Sequence, residues 1–159
     1  MQQILLKESF QGESRVKINT RKYGEVEIDE AKVLEMNDGL PGFESYTRFA
    51  LLEDPNMKPF CWFQSVEEPD LALVVMDPFI FMPEYDIDLE TVISMKEWQD
   101  IEKKDLAVYV VINTSNRENE KKITANLIGP LVINLKNNEV VQVVFSDTPY
   151  SHQYDILGS

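Results

Sequence analysis

Few side chains in this sequence could run a reaction. Of 159 residues one is histidine and one is cysteine, so chemistry centred on either has a single place to sit. His152 has Ser151 beside it and Asp155 a little further on, the residue types of a nucleophilic triad. A triad needs a rigid scaffold to aim the base at the hydroxyl, and these residues fall near the chain end, where order is usually poorest. His152 is therefore read as an exposed, idle side chain. Cys61 lies between Phe60 and Trp62, and no basic residue follows it before Lys96 to lower its pKa. It reads as a small core or strand-face residue. Asp86, Asp88 and Glu90 stand like the first, third and fifth ligands of a calcium loop, with Glu97 in the twelfth place. The sixth place needs glycine for its sharp turn and holds Thr91, while Val92, Ile93 and Met95 would be strained in a wrapped loop. A capped helix with an acidic exposed face is the better reading. Paired carboxylates can hydrolyse glycosides, but with 28 acids in the chain accidental pairs are guaranteed. The sequence has no glycine-rich phosphate loop, zinc signature or nucleophile elbow. No catalytic residue, metal or cofactor is expected.

Charge and composition narrow the choice of partner. A formal charge of −13 repels phosphate backbones and anionic membranes, so direct nucleic-acid or membrane binding is not expected and a basic protein partner is. The single cysteine rules out an internal disulfide and fits a reducing, cytoplasmic setting. The opening MQQILLKESFQGES has too short an apolar stretch for a signal peptide, and no run approaches the roughly 18 apolar residues of a membrane helix. A chain of this length can bury about two thirds of its unfolded surface, which suits one domain. We expect an extension over residues 1–14, a domain over 15–148 and a tail over 149–159, in a monomer.

The elements that must position any site are mostly strands. Val16 and Ile18, Val26 and Ile28, then Val33 and Leu34 carry short alternating patterns between polar or glycine punctuation. GLPGF, from Gly39 to Phe43, predicts a tight turn with one residue at positive φ, ahead of a strand at Phe49 to Leu52. Runs at 60–66, 71–76, 106–113, 122–128, 130–135 and 139–145 are rich in Val, Ile, Leu and aromatics, and Asn137-Asn138 marks a hairpin between the last two. DLETVISMKEWQDI alone has apolar residues at helical spacing, with Asp88 as cap, and predicts one short helix around 89–98. The fold class is all-β, a single barrel-like antiparallel domain with one helical excursion.

Two kinds of exposed feature remain as candidate sites. In FCWFQSVEEPDLALVVMDPF, from Phe60 to Phe79, two apolar strands flank Glu67-Glu68-Pro69-Asp70, a turn that is either a site or only where a sheet reverses. Aromatics at turns and strand ends, Phe43, Phe81 and Tyr85 among them, could anchor a partner or could close the ends of the core.

Taken in order, INTRKYGEVEID, GLPGFE, FCWFQSVEEPDLALVVMDPF, DLAVYVVIN, TANLIGPLVIN and VVFSD resemble the flagellar assembly factor FliW family over residues 17 to 148 or so. The departures are the N-terminal extension, Met36 where an aromatic is usual, and Asn137-Asn138-Glu139 in place of a glycine-containing basic turn. The resemblance implies a non-enzymatic partner switch that binds newly made flagellin and also binds CsrA, an RNA-binding regulator that represses flagellin translation. Flagellin would displace the regulator. On this reading Glu67, Glu68 and Asp70 meet the positively charged regulator, while Phe43, Phe81 and Tyr85 are candidates for apolar contact. A small barrel with an apolar ligand inside is the alternative.

Overall fold

The computed structural model describes residues 14–157; residues 1–13, most of the expected N-terminal extension, lie outside the described residues. Among the described residues eleven strands and one α-helix are formed. β1 (Arg15–Thr20) and β2 (Gly24–Asp29) pair as an antiparallel hairpin of their own. Their alternation puts Ile18 and Ile28 on one face, where they pack with Val33, Ala50 and Leu52. The remaining strands are β3 (Leu34–Glu35), β4 (Arg48–Glu53), β5 (Cys61–Ser65), β6 (Ala72–Met76), β7 (Leu106–Arg117), β8 (Glu120–Ala125), β9 (Leu131–Asn134), β10 (Glu139–Gln142) and β11 (Tyr154–Asp155). They form one sheet in the order β11-β8-β7-β6-β5-β4-β3-β10-β9, and β9 returns to pair with β7.

That last pairing closes a ring. β7 is long enough to serve three neighbours: Leu106 to Tyr109 face β9, Val110 to Ile112 face β6, and Ile112 to Arg117 face β8. β8 and β9 lie on successive stretches of β7, separated by a corner at Asn126. There the Asn126 side-chain oxygen accepts from the N–H groups of Ile128 and Gly129 at 3.2 and 3.0 Å. This local turn ends β8 at Ala125, short of the expected 128, because a side chain supplies the bonds that a strand would take from its neighbour. Among the described residues all ladders are antiparallel except a single parallel bridge, Glu139 to Glu35, where β10 meets β3.

The ring's interior is filled. Phe49 and Phe63 stack at 4.4 Å with an 8° interplanar angle, surrounded by Met36, Val75, Leu131, Ile133 and Val140. None of these is more than 1% exposed. Met36, at a position where the family resemblance suggests an aromatic, is thus a core residue, and its flexible thioether fills the space. Aliphatic and aromatic side chains occupy the volume that an apolar ligand inside the barrel would need.

The helix α1 (Leu89–Met95) starts where expected, with Asp88 accepting from the Thr91 N–H at 3.1 Å, but it stops before 98. Glu97 adopts a left-handed φ of 56°, and Trp98 turns back so that its N–H meets the Ile93 carbonyl. Val92 and Trp98 pack on Val132, Val141 and Val143 of the barrel wall. GLPGF holds two positive-φ residues rather than one, Gly39 at 66° and Gly42 at 86°. At Gly39 a Cβ would lie 2.6 Å from Glu44 Cα, so both conformation and space demand glycine.

Candidate functional site

The turn between β5 and β6 is built from inside. Ser65 Oγ accepts from the N–H groups of Glu67 and Glu68 at 3.1 and 2.9 Å, an arrangement that bends the chain immediately after the strand. Gln64, 3% exposed, directs its side-chain amide at the carbonyls of Ser65, Glu68, Pro69 and Leu71. A buried amide satisfied only by this loop fixes the loop's shape.

The three acids of the turn are not equivalent. One Glu67 carboxylate oxygen accepts from the backbone N–H groups of Thr47 and Arg48 at 2.8 and 3.2 Å, so it clamps the turn to the start of β4. Glu68 is half-buried, and its carboxylate accepts from the Asp70 N–H at 3.1 Å within the turn. Asp70 is exposed and lines a cleft of about 450 Å³ together with Arg21, Lys22, Tyr23 and Trp62. The β1–β2 turn is joined to this cleft by the Arg21 N–H, which donates to the Pro69 carbonyl at 3.2 Å.

Behind Asp70 lies a polar node that no sequence motif announces. Tyr23 donates its hydroxyl to Asp54 at 2.6 Å and accepts from Trp62 Nε1 at 3.0 Å, while Lys22 Nζ lies 5.5 Å from the centre of the Trp62 ring. Burial, then the Asp54 bond, pushes the Tyr23 hydroxyl up to about 12, so it remains a donor to the Asp54 carboxylate at neutral pH. The node ties the outer hairpin to the barrel wall at the edge of the acidic turn.

The three aromatics fall in two places. Phe43, 47% exposed, sits at the tip of the GLPGF turn, and the Tyr46 N–H donates to its carbonyl just ahead of the backbone that Glu67 clamps. Along the chain it lies four residues before Thr47, one of the two residues whose N–H groups Glu67 holds. Phe81 and Tyr85 belong to another cluster, around Met76, Val108, Val110 and Leu127. Tyr85 is only 3% exposed and donates its hydroxyl to the Leu127 carbonyl at 2.6 Å. In this conformation it supports the surface that Phe79, Phe81 and Tyr150 present rather than reaching a partner itself. Phe81 is half-buried, stacked on Tyr154 at 5.8 Å.

The residues whose types suggested chemistry are used locally. Ser151 Oγ accepts from the Gln153 N–H and the Asp155 carboxylate from the Leu157 N–H, both at 2.9 Å, with His152 exposed between them. Cys61 is buried, and burial followed by the nearby Glu53 carboxylate pushes its thiol up to about 12, away from nucleophilic use. Asp88 accepts from both the N–H and the hydroxyl of Thr91, which hold its carboxyl below the usual range. Among the described residues no cluster of three or more histidine, cysteine, aspartate or glutamate side chains is placed to hold a metal ion. Nor is any helix among them long and apolar enough to cross a membrane.

With this geometry, the chain matches the family model described as "FliW protein" over residues 17–156. It is 37% identical over 142 residues to the flagellar assembly factor FliW of Alkaliphilus metalliredigens, covering 88% of this chain and 85% of that one. Similarity to the protein of the same name from Treponema denticola is 38% over 143 residues, covering 90% and 95%. A crystal structure of the flagellar assembly factor FliW superposes with a TM-score of 0.76 at 33% identity, over 89% of this chain and 96% of that chain.

Proposed function

This chain belongs to the FliW family of flagellar assembly factors, and we propose that it works as a cytoplasmic, non-enzymatic, monomeric partner switch. Newly made flagellin is one partner and the RNA-binding regulator CsrA the other. While flagellin is abundant it occupies the assembly factor, and the regulator is free to repress flagellin translation. As flagellin is exported, the freed factor captures the regulator and repression ends.

One observation carries the regulator half of this reading: a pre-shaped acidic turn on a chain of charge −13. Gln64 and Ser65 fix the loop before any partner arrives, so Glu67, Glu68 and Asp70 need little ordering on binding. A protein that grips RNA presents positive charge, and a fixed acidic loop in a strongly acidic field steers toward it. Flagellin binding is supported by a separate feature, the exposed apolar side chains Phe79 and Ile80, 40% and 56% accessible, beside Phe81.

Calorimetric titration of the purified protein into the dimeric regulator, repeated after saturation with flagellin, tests the switch. Heat of binding that flagellin abolishes is the expected result. Binding to neither protein overturns the proposal.

A further inference from the structure

We propose that the edge of β8 and the aromatic surface beside it form a docking groove for an extended strand from another protein, and that the chain's own C-terminal strap is a displaceable cover over it. The strap runs from Tyr150 to Leu157. The Leu127 N–H donates to the Ser151 carbonyl at 3.0 Å, Tyr154 and Asp155 pair with Ala125 and Thr124, and the Ile156 N–H donates to the Ile123 carbonyl at 3.0 Å. Its side chains settle on an aromatic floor: Tyr150 lies 4.9 Å from Tyr85, and Tyr154 stacks on Phe81. These are the contacts of a strand added to a sheet edge, with backbone bonds for affinity and side-chain seats for selection.

The cover is slight. β11 is two residues long and sits at the end of the sheet order, outside the closed ring, so lifting it breaks no barrel ladder. The Tyr150 hydroxyl adds a bond from the Asp86 N–H at 2.9 Å, but a short edge segment of this kind opens locally at much less cost than the fold as a whole. The apolar surface also continues past the strap to Ile80, which is 56% exposed and the chain neighbour of Phe81. In the same register, a strand continuing beyond the Ile156 position runs alongside Lys122 and Lys121, both exposed. A fitting occupant therefore carries an aromatic and an aliphatic residue two apart, followed by carboxylates. With acids at that point, a foreign strand gains an attraction that the strap's own sequence lacks.

The test uses the full chain and a fluorescent peptide that repeats residues 149–157 and ends in a short run of glutamates. Replacing Tyr154→Ala and Ile156→Ala together weakens the strap but leaves the groove intact. The peptide should bind this variant at least about tenfold more tightly than wild type, because a larger fraction of molecules has the groove open. Thr124→Cys with Asp155→Cys places thiols at directly paired positions, within reach of a disulfide. Oxidation should abolish peptide binding and reduction restore it. Equal affinity of variant and wild type, or equal binding of a scrambled peptide, overturns the proposal. A concentration-dependent dimer that the disulfide removes assigns the groove to a second copy and also overturns it. Hydrogen exchange on the wild-type chain guards against a misfolded variant: the Ile156 and Leu127 amides should exchange faster than that of Phe63, and equal protection counts against a displaceable strap.

Discussion

At Glu139 one carboxylate is drawn inward by two donors, Trp98 Nε1 at 2.8 Å and Lys96 Nζ at 2.9 Å. Burial alone would push its pKa up; the bonds from Lys96 and Trp98 overcome this and hold it below the usual range. Lys96 is likewise pushed down by burial, yet Glu139 and Asp38 raise it overall. The signs then follow from linkage. The Glu139 contribution is present above the unfolded glutamate value of about 4.3 and fades as pH falls through the lowered folded value. That of Lys96 is complete below about 10.4 and fades as pH rises through its raised folded value. Between those limits Glu139→Ala should cost about 2 kcal/mol in urea unfolding, since it leaves a mostly buried ammonium with only the longer Asp38 contact at 3.5 Å and takes the acceptor from an indole N–H. Wild type and Glu139→Gln should converge in stability as the pH is lowered past the carboxylate's titration. A flat difference across that range would mean that the ion pair contributes nothing. Glu139 was legible in the sequence only as part of an unusual turn. Its partners are more than forty positions away, a juxtaposition that helix packing creates and local pattern cannot reveal.

Within the β5–β6 hairpin, structural and electrostatic roles are superposed on the same carboxylates. Truncating Glu67 removes the acceptor of the Thr47 and Arg48 N–H groups at the start of β4 as well as a charge, so an alanine variant confounds the two. Glu67→Gln with Glu68→Gln and Asp70→Asn keeps the acceptors and removes the charge. This triple variant should unfold within about 1 kcal/mol of wild type, yet associate with the regulator several-fold more slowly. Glu67→Ala should lose about 1 kcal/mol of stability. If the triple variant binds the regulator at the wild-type rate, the turn only reverses the sheet. The strands on either side were legible because period-two and buried runs are local signals, and so were the Asp88 cap and the glycine-dependent GLPGF turn. Less legible were the ends. β8 stops at Ala125 because Asn126 captures two N–H groups, and α1 stops at Met95 because Glu97 turns left-handed and Trp98 packs on Val132 and Val141. Each such end depends on a competition that apolar runs do not encode.

Across the whole molecule, ring closure was the feature least accessible to sequence reasoning. The barrel depends on one strand, β7, bonding β9 with its first residues and β6 with the next ones, and contacts of that separation leave no local trace. Net charge, by contrast, is legible from a count, and it separates the two proposed partners physically. The acidic field of a chain at −13 acts over about a Debye length, roughly 10 Å at 0.1 M salt and 3 Å at 1 M. Association with a basic regulator should therefore slow by about one to two orders of magnitude between low and high salt, with the dissociation rate changing less. Flagellin, if seated on apolar side chains such as Phe79 and Ile80, should show little of that slope. Stopped-flow association measured over a salt series with each partner in turn gives the comparison directly. Parallel slopes for both would place them on one acidic surface and make displacement a matter of direct competition. A steep slope for the regulator beside a flat one for flagellin would require two surfaces, with release carried through the barrel wall between them.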